Sequence, residues 1–139
     1  MKTTRIAVFI IAAAGSLSGF AQDSTSSCVK GVASDVRLVA IADKVGLDSR
    51  EGSSSRALER VANEDERAAL AVWQGLRRQC FDAGESRRHK MLDAQAHSAI
   101  RSAFLFQQVL LSRLQQGELT YGEFNRRRAV IAESFEPSN

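Results

Sequence analysis

The sequence predicts an all-α fold: a small bundle of about four helices with a long third helix, a C-terminal αα-hairpin and one disulfide. Three observations carry this. Apolar residues recur at three- and four-residue spacing through most of the chain. No Gly or Pro interrupts the stretch between Gly84 and Gly117. Two capping-box patterns, Asn63 with Glu66 and Thr120 with Glu123, mark helix starts.

Residues 1–21 read as a cleaved secretory signal peptide. Lys2 and Arg5 supply its positive start, Ile6 to Ala14 its apolar run, and Gly19-Phe20-Ala21 the small residues a signal peptidase reads. That run is shorter than the roughly 20 residues a membrane span needs. The remainder, 22–139, is the length of one small domain. It carries 17 Lys and Arg against 16 Asp and Glu, a net charge of +1. So balanced a chain is a poor match for nucleic acid, and no stable membrane insertion is expected after leader cleavage. The clusters Arg77-Arg78, Arg87-Arg88 and Arg126-Arg127-Arg128 read as solvated helix faces and helix-end charge.

Exported proteins fold in oxidising compartments, so the two cysteines, Cys28 and Cys80, are expected to pair as a disulfide. Val29 to Val45 has apolar residues at Val32, Val36, Val39 and Val45, widened by Leu38 and Ile41, which predicts a first helix. Residues 46–55 are rich in Gly and Ser and read as loop, and a short helix is expected from Arg56 to Val61. Behind the Asn63 cap, Ala69, Trp73, Leu76 and Cys80 form one inward stripe. Trp73 is read as a core anchor.

Gly84 is expected to cap that helix, and Ser86 to Gln116 to form the long one. Leu92, Ala96, Ala99, Ala103, Phe106, Leu110 and Leu114 make one stripe on it, and Ile100, Phe104 and Leu111 a second. Its polar half carries Glu85, His89, Asp93, His97 and Arg101 at four-residue intervals, hence on one face. Ion pairs along a solvated face account for such a ladder. The other reading is a metal or pH sensor built on His89, Asp93 and His97. On an unbroken helix the two imidazoles stand about 12 Å apart, too far to share an ion.

Gly117 ends the long helix, and the Thr120–Glu123 box starts the last one, with Phe124, Ile131 and Phe135 inward. Leu114 and Leu119 are expected to pack on Phe124 and Val130, so that residues 104–135 form a hairpin. Tyr121, Asn125 and Arg126 are candidate partner contacts; for Tyr121 the alternative is a ring folded back on the hairpin. Leu110-Leu111, Leu114, Gly117, Leu119-Thr120, Glu123-Phe124 and Arg127-Arg128 resemble the short C-terminal helical hairpin called SHOCT, over about residues 104–131. The acidic helix start at Asn63 to Arg67, with Trp73, Arg77 and Cys80 after it, is similar to uncharacterised exported bacterial proteins. The resemblance implies a bacterial envelope protein with an interaction or assembly role and no catalytic residues. The sequence contains no nucleophile–base pair, Gly-rich phosphate loop or metal motif with enough ligands, so neither catalysis nor a cofactor is expected. The expected function is binding to another envelope protein in the periplasm or outside the cell, as adaptor, inhibitor or assembly factor. Homo-oligomerisation is compatible with that.

Overall fold

The computed structural model describes residues 24–47 and 53–134. The leader (1–21), Phe135 and part of the 46–55 loop lie outside the described residues. Four α-helices follow in order: α1 (Ser24–Val32), α2 (Glu64–Met91), α3 (Ala94–Gln115) and α4 (Tyr121–Ser134), with 3-10 turns at Val36–Leu38 and Ser53–Ala57. The described residues include no strand. The third helix is long, and α3 with α4 forms the expected C-terminal hairpin.

The first helix is shorter than its apolar spacing suggests. Asp35 accepts a hydrogen bond from the Arg37 N–H at 2.9 Å and restarts the chain as a 3-10 turn. That local bond competes with helix continuation in a stretch rich in β-branched valines. The restart also shifts the phase. Leu38, Ile41 and Val45 turn inward, while Val36 and Val39 face solvent. The expected helix from Arg56 to Val61 is replaced by the Ser53–Ala57 turn and an irregular stretch running to Asn63.

At the start of α2 the Asn63 side chain accepts from the Glu66 N–H (2.9 Å), and Glu66 accepts from the Asn63 N–H (3.0 Å). Three acidic residues in the first turn complement the helix dipole. The helix then continues through Gly84 for 28 residues. Gly84 is buried mid-helix rather than a cap, because one glycine costs a helix only about 1 kcal/mol. Ala69, Trp73 and Cys80 face the core, and Cys80 is bonded to Cys28 of α1 with a Cα–Cα separation of 5.4 Å.

A Schellman motif closes α3. Gly117 adopts φ +76°, its N–H donates to Leu114 O, and the Glu118 N–H donates to Arg113 O. Thr120 and Glu123 then exchange their bonds at 2.9 and 3.1 Å. Leu111, Leu114, Leu119 and Phe124 join Trp73 and Leu70 in one core, with Phe124 edge-on to Trp73 at 6.3 Å between ring centroids. Val130 does not pack there; it faces solvent. Phe106 is outward as well, and Gln108 takes a buried position on the other side of α3.

Candidate functional site

The junction of α2 and α3 differs most from the sequence reading. The helix expected from Ser86 is the end of α2, and the chain breaks at Leu92 and Asp93, both extended. Asp93 is the N-cap of α3, accepting from the Ala96 N–H at 2.8 Å. The chain reverses there. Gln74 bonds Ser112, Arg77 bonds Gln107, Phe81 stacks on Phe104, and Glu85 meets His97. As the α2 number rises the α3 number falls, which is an antiparallel hairpin.

Reversal folds the polar ladder onto itself. His89 and His97 stand edge to face with ring centroids 5.6 Å apart. His97 Nε2 lies 3.0 Å from Glu85 Oε1, and since a carboxylate only accepts, His97 donates from Nε2. Glu85 also receives Arg88 Nη2 at 3.0 Å, and that guanidinium with His97 holds its carboxyl below the usual range. The helix break therefore removes the 12 Å objection to a shared ion. It also withdraws Asp93, whose oxygen serves the cap. Among the described residues no group of three or more His, Cys, Asp or Glu side chains is placed to hold a metal ion.

Above this cluster runs a groove of about 320 Å³ between the two helices. Phe81 and Phe104 line it, stacked at 3.9 Å and 7° from parallel, with the Arg88 guanidinium also lying over Phe81. Arg78, Asp82 and Glu85 line it from α2, Arg101 and Leu105 from α3. Beyond Leu105 the outer side of α3 stays apolar. Leu105, Phe106 and Val109 are 49%, 58% and 57% exposed. Positions i, i+1 and i+4 share one side of a helix, so these three make a continuous strip. Sequence reasoning assigned Phe106 to the core because a wide apolar arc does not reveal which part of it is covered.

The three candidate contacts on α4 divide. Tyr121 and Asn125 are both 0% exposed, which corrects the expectation of accessible anchors. The Tyr121 ring folds back under the Arg60 guanidinium, 5.4 Å from its centroid, as in the alternative reading. Burial beside the Glu66 carboxylate pushes its hydroxyl pKa well up. Asn125 donates to Lys44 O (2.8 Å) and Ser55 O (3.1 Å), closing loop carbonyls that have no ladder of their own. Arg126 remains partly exposed and pairs with Glu59 at 2.6 Å, also donating to Arg56 O. The trio is thus a structural suture with only Arg126 near solvent.

Glu66 is the centre of a second polar cluster that sequence reasoning took only as a cap. It is buried, bonded to Arg60 at 2.6 and 2.8 Å, with Lys44 at 3.6 Å. The Arg60 guanidinium lowers its pKa from 4.5 to about 2, burial working the other way. No helix among the described residues is long and apolar enough to cross a membrane. A scan against known protein families and searches of curated proteins and solved structures found no match to this chain.

Proposed function

We propose that the chain is an exported, disulfide-stapled helical protein of the bacterial envelope, periplasmic or secreted, that works by binding another protein. Adaptor, inhibitor and assembly factor are the tasks this covers. The outer strip of α3 carries the reading: Leu105, Phe106 and Val109 stay open although the core around Trp73 and Phe124 closes without them. Apolar side chains clustered on one helix face favour partner contact. The Cys28–Cys80 bond favours an oxidising compartment. The likeness of the hairpin to SHOCT fits an interaction role.

The test is in-cell crosslinking from a photoreactive residue at Phe106, with the buried Tyr121 position as control. One discrete protein adduct from position 106 and none from 121 is the expected pattern. If position 106 yields only solvent-quenched chain in cells where the protein accumulates with its disulfide formed, the strip is not a docking face.

The second reading is a metal or pH sensor, favoured by the approach of His89 and His97 to 5.6 Å at the helix break. It requires a response of the folded protein to metal or pH that His89→Ala with His97→Ala abolishes. The first reading requires that the crosslink survive those substitutions and that no such response exist.

A further inference from the structure

The α2–α3 groove holds two charges of each sign, but they do not all answer one another. Glu85 is met by Arg88 at 3.0 Å, His97 at 3.0 Å and Arg101 at 4.0 Å. That leaves Arg78 and Asp82, one guanidinium and one carboxylate, on the exposed lip of α2. Among the described residues neither side chain is ion-paired, with the other or with a third group. Residues four apart on a helix have Cβ atoms about 5–6 Å apart, so both heads reach one small molecule. Below them the floor is apolar and held in place. Phe104 stacks on Phe81 at 3.9 Å between centroids, and the Arg88 guanidinium stands 3.9 Å from the same Phe81 ring. Two groups that close must take opposite faces, so Phe81 is clamped between them. Leu105, 49% exposed, closes the α3 side. The volume of about 320 Å³ is at the low end of ligand sites, about 300–1,000 Å³, which suits a molecule of amino-acid size.

We infer that the groove binds a free α-amino acid with an apolar side chain. Its carboxylate meets Arg78, its ammonium meets Asp82, and its side chain lies against Phe104 and Leu105. The two head groups of an α-amino acid share one carbon, so adjacent turns of α2 reach both. The planar guanidinium fork donates to both carboxylate oxygens, and the Asp82 carboxylate accepts from the ammonium. A balanced lip favours a zwitterion over either kind of ion: a ligand of one charge leaves the opposite lip group unanswered. The inference goes beyond the protein-binding reading, and its test does not pass through position 106.

The test is an amide chemical-shift titration of isotope-labelled protein, expressed from the full sequence with its disulfide formed. The probes are phenylalanine, phenethylamine (no carboxylate), phenylpropionate (no ammonium) and glycine (no side chain). Phenylalanine should shift the amides around Arg78 to Glu85 and Arg101 to Leu105, and bind at least about tenfold more tightly than each of the other three, equivalent to about 1.4 kcal/mol. Arg78→Gln should bind phenylalanine no more tightly than phenethylamine. Asp82→Asn should bind it no more tightly than phenylpropionate. Both residues are exposed, so neither change disturbs the core, and circular dichroism with a thermal melt establishes that each variant is folded. No shift in the groove at about 10 mM phenylalanine would overturn the proposal. Equal binding of any single-charge probe or of glycine would overturn it too, as would wild-type affinity in the folded variants. A protein adduct at position 106 alongside any of these results leaves protein binding standing and removes only the amino-acid site.

Discussion

Replacing Cys28 and Cys80 by Ala together tests how much of the fold depends on the staple. The bonded residues are 52 apart in sequence, and a loop of that length stabilises by about 4 kcal/mol in the chain-entropy account. Alanine is preferable to serine at Cys80, which is buried, because a hydroxyl there adds its own desolvation cost. In a domain near 100 residues, about 1 kcal/mol moves Tm by roughly 4–8 °C, so the double variant should melt about 15–30 °C lower. α1 has only nine residues, below the roughly 12–15 at which isolated helices become stable in water. It should therefore lose amide protection before α2 and α3 do. The assay is guanidinium unfolding of oxidised protein, dithiothreitol-reduced protein and the double variant, combined with hydrogen exchange. The last two should coincide. A loss below about 1 kcal/mol, or α1 amides protected as well as those of α3 after reduction, would refute the argument.

Three further outcomes are expected. Phe124→Ala removes a buried ring edge-on to Trp73 and should cost about 3–5 kcal/mol in denaturant melts; below about 1 kcal/mol, Phe124 is not core. Gly122→Ala places a Cβ 2.7 Å from Arg56 O, a backbone atom that yields only with its segment, and should cost about 1–3 kcal/mol. An unchanged melt would show that the α4 start is free to shift. The depressed pKa of Glu66 makes its contribution fully present above about 4.5 and lost as pH falls toward about 2. At about 1.4 kcal/mol per pH unit the ceiling is about 3 kcal/mol, reduced to about 1–2 because Arg60 is half exposed to water. Glu66→Gln should flatten the stability profile across that acid window; a profile parallel to the wild type would place the acid sensitivity elsewhere.

Both capping boxes and the Gly117 stop were legible because each is a short-range pattern, complete within a few residues. The Trp73 to Cys80 stripe was legible because the period of α2 is unbroken there. The turn at Leu92 and Asp93 was hidden for the opposite reason: it contains no Gly or Pro, and Asp93 fitted the four-residue ladder as well as it fits a cap. Gly84 looked like a terminus because helix-stop residues are recognised by type, whereas it lies buried within an unbroken α2. Tyr121 and Asn125 look exposed on a hairpin considered alone. They are buried because Arg60, Lys44 and Ser55 reach them from the first half of the chain. The α2–α3 groove left no linear trace, since Arg78 and Arg101 become neighbours only after the reversal.

The bonds between α4 and the irregular segments also bear on how the chain folds. Its Tyr121 and Gly122 N–H groups donate to Arg60 O and Leu58 O, Asn125 and Arg126 reach Ser55 and Arg56, and Arg128 reaches Gly46 across 82 residues. Helical proteins usually fold in microseconds to milliseconds because their contacts are local. Here the last helix cannot satisfy its buried donors until a stretch made much earlier in the chain has been brought to it. The α2–α3 hairpin can form from nearby residues alone, whereas α4 waits on loop closure. Kinetically, this protein should resemble the slower mixed folds more than a simple bundle, and its C-terminal hairpin should fail to fold as an excised piece.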